Sequence, residues 1–160
     1  MDSSYGVKAM AAPAEFLNNV DKSSFGHDGY SRRVAKPWGY ELIFTSETSA
    51  YTFKLMHINA GKRQSLQVHD AKTETYLVRN GRAAILIENS KGEMEQIELE
   101  SNHGYTTQVG QRHRLIGLTD TDILEASTPE NGTTWRLEDD FARPDETEEL
   151  RAAPNRGWKA

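Results

Sequence analysis

The chain has 160 residues, 36% hydrophobic and 27% charged, which suits one domain with a buried core and a polar surface. A formal charge of −5 provides no basic face for nucleic acid, and the absence of cysteine excludes disulfides, thiolate metal sites and cysteine nucleophiles. No apolar run approaches a membrane span, and Lys8 followed by a short, interrupted segment at 9–14 does not read as a signal peptide. The expectation is a cytoplasmic protein.

Residues 1–31 read as an N-terminal arm. A short helix is predicted over 9–20, with Pro13 near its start and Phe16, Leu17 and Val20 on one side. A loop rich in Ser, Gly and Asp follows over 21–30. The arm either stays mobile or packs on its own barrel or on a second subunit. From residue 32 the pattern changes to short strands. The first covers 38–44, with Trp38, Tyr40, Leu42 and Phe44 on one face. The next covers 51–58, with Lys54, Met56 and Ile58 on one side and Phe53, Leu55 and His57 on the other. Strands over 66–69 and 74–79 lead to Asn80-Gly81, a hairpin signal. Further strands are predicted over 82–88, 94–99, 105–109, 113–118 and 123–127. About eight to ten short strands at even spacing, with no helix-length periodicity between them, predict an all-β sandwich or jelly-roll barrel. After Pro129 the alternation weakens. A short helix is predicted over 145–153, with acids early and Arg151 late, and a frayed tail over 154–160. The expected division is arm 1–31, barrel 32–143 and C-terminal helix and tail 144–160.

One constellation carries chemistry. Gln67 and His69 are two residues apart, so in a strand they share a face, roughly 7 Å apart. Glu74 follows after a gap long enough for the chain to turn and return to the same point. His113 starts a later strand, after the turn at Gly110. Two imidazoles, a carboxylate and an amide oxygen suit Mn, Fe, Co, Ni or Zn. Four such ligands leave a position open on a five- or six-coordinate ion, as a Lewis-acid site requires. Each residue alone reads as an ordinary surface or hydrogen-bonded side chain; only the joint spacing points to a site.

That spacing carries a resemblance. Gly61-x5-Gln67-x-His69-x4-Glu74-x6-Gly81 resembles the first cupin motif, with Gln for its first His. Gln108-x-Gly110-x2-His113 resembles the second, with Gln for Pro and Gly117 where that motif has Asn. The run Ser65-Leu66-Gln67-x-His69-x4-Glu74 is similar to that of the type II mannose-6-phosphate isomerase branch. Three further pieces are similar to that branch: Lys36-Pro37-Trp38-Gly39-Tyr40, the pair His113-Arg114, and the charge-dense run at 136–143. Together they span residues 34–143.

The resemblance implies a double-stranded β-helix (jelly-roll, cupin) with short N- and C-terminal extensions. It implies one divalent transition metal (Fe, Mn, Zn, Ni or Co) on Gln67, His69, Glu74 and His113, and a homodimer. The substrate would be a small molecule, a phosphosugar or other polar acid, held by Arg114, Lys54 and Lys72. Arg114 is carried over from the His-Arg pair, Lys54 from a lysine before the first motif, and Lys72 from a position where the branch has Arg. For proton transfer Glu125, a carboxyl among apolar neighbours, is the first candidate; an ion pair with Arg or Lys is the equal alternative. Tyr76, on the face of Glu74, and His57 come second, although His57 on an apolar face also reads as a satisfied core residue. The leading expectation is a metal-dependent isomerase or epimerase of carbohydrate metabolism. The alternatives are an Fe(II) oxygenase, a lyase or dehydratase in a biosynthetic route, and a non-catalytic binding module.

Overall fold

Runs of β-branched and aromatic residues broken by Gly, Asn and Pro turns produce eleven strands. They are β1 (Arg32–Lys36), β2 (Gly39–Ile43), β3 (Thr52–Ile58), β4 (Leu66–His69), β5 (Glu74–Asn80) and β6 (Ala83–Glu88), then β7 (Met94–Glu98), β8 (Tyr105–Thr107), β9 (His113–Gly117), β10 (Thr121–Ser127) and β11 (Thr134–Glu138). The structure is a computed structural model that describes residues 14–159. Two antiparallel sheets form, one in the order β1-β2-β3-β10-β5-β8 and the other β11-β4-β9-β6-β7. The chain crosses between them at nearly every turn, the jelly-roll pattern expected of a cupin. No helix among the described residues is long and apolar enough to cross a membrane.

The inward rows of the strands change character along their length. On β3 the row runs Lys54, Met56, Ile58; on β5 Glu74, Tyr76, Val78; on β10 Glu125, Ile123; on β9 His113, Leu115, and all of these are buried. One end of the sandwich is therefore an apolar core, with Ile58, Val78, Ile85, Leu115 and Ile123 at its centre. Each such side chain contributes about 1.5–3 kcal/mol on burial. The other end is walled by charged groups, and it is this end that holds the candidate site.

Several expectations change. The face of 38–44 that turns inward carries Glu41 and Ile43, whereas Tyr40 and Leu42 are half-buried and Phe44 is exposed. Alternation of apolar residues misassigns this strand because the interior it faces is polar. β1 and β11 lie in charged stretches that carry no strand signal; β1 pairs along all of β2 and β11 along β4 with a bulge at Leu137. Asn80-Gly81 does not close a hairpin: β5 lies in one sheet and β6 in the other. Gly81 has φ +78°, and a Cβ there would stand 2.2 Å from the Asp120 carbonyl oxygen. The glycine serves a close crossing of two inter-sheet turns.

The C-terminal segment is docked. Asp145 and Glu146 are used before the helix begins: Asp145 accepts from the Arg136 backbone N–H at 2.7 Å, and Glu146 exchanges backbone hydrogen bonds with Thr134. Helix α2 (Glu148–Ala152) therefore starts later than predicted, capped by the Thr147 hydroxyl. The 3₁₀ turn Pro154–Gly157 follows, in which Asn155 (φ 47°) and Arg156 (φ 51°) are left-handed. Outside glycine this conformation costs about 1–2 kcal/mol per residue. It is held by the Asn155 side chain, which accepts from the Ala35 N–H of β1 at 3.0 Å, and by burial of Arg156 to 7% exposure. At the other end, α1 (Ala14–Asn19) buries none of its residues. Residues 9–13 of the longer predicted helix lie outside the described residues.

Gly81→Ala combines a forbidden φ with a backbone clash. It is expected to lose about 2–3 kcal/mol or more of unfolding free energy, measured by urea titration.

Candidate active site

His69 closes β4 and His113 opens β9, so both stand on the inner face of the second sheet at its polar end. Gln67 is the direct cross-strand partner of His113. Glu74 opens β5 on the opposite sheet, brought across by the turn at 70–73. The three titratable residues are buried and offer ligand atoms within 4.8 Å of one another. Glu74 Oε2 lies 3.0 Å from His69 Nε2 and 3.2 Å from His113 Nε2. Gln67 Nε2 lies 3.5 and 3.4 Å from the same two ring nitrogens. Rotating that amide by half a turn presents Oε1 instead, and Ser65 Oγ, now donating to Oε1 at 2.9 Å, then accepts from the NH₂.

The outer partners of these side chains orient them. His113 Nδ1 is 2.9 Å from the Gln111 carbonyl, an acceptor only, so Nδ1 donates that bond and Nε2 is the ring nitrogen turned inward. His69 Nδ1 meets Thr134 Oγ1 at 3.0 Å, and burial holds the imidazole below its ordinary pKa. Burial alone would raise the Glu74 pKa, but the Lys72 ammonium and the two imidazoles hold the carboxyl well below the usual carboxylate range. The Glu74 carboxylate and the two inward Nε2 atoms converge on one point, the arrangement that a cation satisfies once the Nε2 atoms are deprotonated. The donor set therefore fits a divalent transition metal.

A charged wall surrounds this point. Seven cations line the cavity, namely Lys36, Lys54, Lys72, Arg136, Arg143, Arg151 and Arg156, against the five carboxylates of Glu41, Glu74, Glu125, Glu130 and Glu146. Lys72 touches Glu74 and lies 3.0 Å from Glu125 Oε1. Lys54 lies 3.1 Å from Glu125 Oε2 and 2.9 Å from Glu130 Oε1. Burial pushes the Glu125 carboxyl upward, Lys54 and Lys72 opposing it, and its pKa ends above the ordinary value. For Lys54 the neighbouring carboxylates outweigh burial and hold the ammonium well above its ordinary pKa.

With this geometry in place, comparison with known proteins is informative. Residues 26–146 match the family described as the mannose-6-phosphate isomerase C-terminal domain. The chain belongs to this family. No curated protein matches the sequence significantly. Among solved structures, oxalate decarboxylase from Bacillus subtilis superposes at TM-score 0.61 and 18% identity, covering 73% of this chain and 34% of that one. A further structure of that enzyme, which addresses its Mn(II) centres, gives TM-score 0.60 at 14% identity over the same shares. KdgF from Halomonas sp. gives 0.52 at 15% identity, covering 66% of this chain and 90% of its own. The chain thus spans about a third of the decarboxylase, and at these identities the likeness is one of fold, the cupin sandwich.

Of the residues singled out from the sequence, the structure brings Gln67, His69, Glu74, Lys54, Lys72 and Glu125 to the cavity. His113 meets Glu74 beside it, and the Tyr76 hydroxyl donates to Glu74 Oε2. Two residues are elsewhere. Arg114 follows His113 on a strand, so its side chain leaves on the opposite face. It is buried there, donates to the Glu138 carbonyl at 3.1 Å, and anchors the end of β11. His57 stands on the outer face of the first sheet, stacked on Tyr40 at 4.9 Å and 2.7 Å from Asp122 Oδ1, so it does not reach the cavity. Sequence reasoning passed over Lys36, Glu41, Glu130, Glu146, Arg151 and Arg156. The inward phase that Glu41 shares with Ile43, and Lys36 with Val34, marks two of them; the others sit in the β10–β11 loop and the C-terminal segment, where no periodicity points inward.

His69→Ala and His113→Ala are expected to lose bound metal. Thr134→Val, which frees His69 Nδ1, should weaken affinity about 10–100-fold. Elemental analysis after metal loading and dialysis checks this, and full occupancy in either alanine variant refutes the site. The wall also predicts a pH dependence. Burial raises the Glu130 and Glu146 carboxyls, but Lys54, Arg156 and Lys72 around the first and Lys36 and Arg156 around the second hold both below the usual range. Depressed carboxyls contribute stability above their unfolded pKa of about 4.3, which is lost as pH falls toward the folded value. These two carboxyls leave unfolding free energy level from about pH 7 to 5 and lower it below about pH 4, while His69, held below its ordinary pKa, already subtracts from it as pH falls below about 6.5. Glu146→Gln should lower it by about 3 kcal/mol at neutral pH and flatten the acid limb.

Proposed function

We propose that the chain is a metal-dependent cupin enzyme that moves a proton between adjacent carbons of a small anionic substrate, an isomerase- or epimerase-type reaction on a phosphosugar or similar acid. The observation that carries this reading is the position of Glu125. It is a buried carboxyl of raised pKa, and one ammonium, Lys72, joins it to the carboxylate of the His69–Glu74–His113 cluster. Gln67, His69, Glu74 and His113 would hold a divalent Fe, Mn, Zn, Ni or Co ion, which supplies Lewis acidity toward a carbonyl or hydroxyl.

The chain's own groups do the rest. Glu125 takes a proton from the carbon beside the substrate carbonyl and returns one to the neighbouring carbon, while the hydroxyl proton passes to the former carbonyl oxygen. Lys54 and Lys72 hold both Glu125 oxygens, so the carboxylate is fixed in place when it is charged. Their permanent positive charge also attracts an anion, and with Arg143 neutralised by Asp139 at 2.6 Å the wall still carries six cations against five carboxylates. Tyr76, whose hydroxyl burial and Glu74 hold protonated, orients the ligand carboxylate. A homodimer in the cytoplasm remains part of this proposal.

The test is interconversion of mannose 6-phosphate and fructose 6-phosphate, with other aldose and ketose phosphates alongside, by protein loaded with each metal in turn. Glu125→Gln should lower kcat at least about 100-fold while metal content is unchanged. Oxygen uptake by the iron-loaded protein, or substrate binding without turnover that Glu125→Gln leaves unaltered, would overturn the isomerase reading.

A further inference from the structure

The stretch matched to the family ends at residue 146, yet the chain beyond it still builds the wall of the site. Arg151 of α2 and Arg156 of the 3₁₀ turn both line the metal cavity. That cavity measures only about 40 Å³, room for one or two waters at about 30 Å³ each and far too small for a sugar phosphate. A second cavity of about 330 Å³ lies between the β2–β3 loop and α2, within the size range of small-molecule sites. The two share Glu130, Asn131, Arg151 and Arg156 as a common wall.

The second cavity is lined by Arg32, Ser46, Ser49 and Thr52 on the barrel side and by Arg151 and Arg156 on the tail side. Glu47, paired with Arg32 at 2.8 Å, and Glu148 also line it. Each of the three arginines has a buried Nε without a hydrogen-bond partner, so the site borders on unused donors. Arg156 is the most constrained. Its backbone is held left-handed, and its guanidinium contacts Glu130 and lies 3.1 Å from Glu146. Glu130 needs no help from Arg156 to stay charged and in place, because Lys54 holds its other oxygen at 2.9 Å and Lys72 lies 3.4 Å away. The Glu130–Arg156 pair is thus a wall element between the cavities that can part while both groups keep a partner.

We propose that the second cavity binds the body of a small hydroxylated acid, its oxyanion replacing Glu130 on Arg156 and its hydroxyls meeting Ser46, Ser49 and Thr52, so that only the reacting end enters the metal cavity. This rests on the reading of the metal cavity as the reaction site. Phosphate and carboxylate are the two acids a guanidinium grips in bidentate fashion, and both are oxyanions of this kind.

Calorimetric titration of the full chain with inorganic phosphate and, separately, malonate tests it, on metal-free and Mn(II)-loaded protein. Saturable binding of at least one anion to both forms is expected, and the tighter one names the acid group. Arg156→Gln should weaken it at least tenfold with metal content unchanged, and Arg32→Gln several-fold. Should Arg156→Gln undock the tail, seen as a fall in Tm, Arg32→Gln decides alone. Absence of saturable binding in the wild type, or affinities within twofold of wild type in every folded variant, overturns the proposal. Failure of the wild type to take up metal would strike the proposed reaction and leave the metal-free titration readable.

Discussion

Charge buried at one end of the sandwich must be compensated largely within the protein, because little bulk water reaches it. Lys36, Glu41, Lys54, Lys72, Glu74, Glu125 and Arg156 are each less than a tenth exposed, and each has an oppositely charged neighbour within 4 Å. An ion pair of this kind adds little net stability over an apolar replacement, but losing one partner strands the other. The wall is therefore a set of mutually dependent positions. Glu130 from the β10–β11 loop, Glu146 ahead of α2 and Arg156 after it are all members, which is why the last part of the chain is bound to the barrel mouth.

The same constraint explains how the barrel divides its work. Each inward row passes from a charged or ligating residue to aliphatic ones within two or three positions. Ile58, Val78, Leu115 and Ile123 give the cohesion at one end, so the other end can keep groups that resist burial. The aliphatic half also fixes register. Because the side-chain period is two, the packing of Ile123 against its neighbours places Glu125 inside, and Leu115 does the same for His113.

Function follows from what those fixed positions face. Donor atoms from both sheets converge at Glu74, and the partners of the two imidazoles aim their Nε2 atoms at the convergence. A cupin sandwich hosts many chemistries, so neither the fold nor the family decides the reaction. That choice rests on the charged wall, on Glu125 and on the shape of the approach, part of which lies beyond the stretch shared with the family.

Much of this was legible in the sequence. The even spacing of short strands gave the all-β class, and Gln67, His69, Glu74 and His113 announced themselves because a metal demands particular donor atoms and a strand places every second residue on one face. Lys54 and Glu125 were also accessible, being in phase with buried apolar neighbours. What sequence could not decide is which charges lie inside. Glu41, Glu130, Glu146 and Arg156 look like surface residues, since their burial depends on partners up to 115 positions away, as for Glu41 and Arg156. Arg114 and His57 looked like site residues and stand away from the cavity: strand alternation sends Arg114 out beside His113, and His57 lies in phase with Leu55 on the outer face. Local chemistry and periodicity determined the candidate donor set and the class of fold; only the closing of two sheets and a tail around one cavity decided the wall, because pairing of buried charges is a property of distance in space and not along the chain.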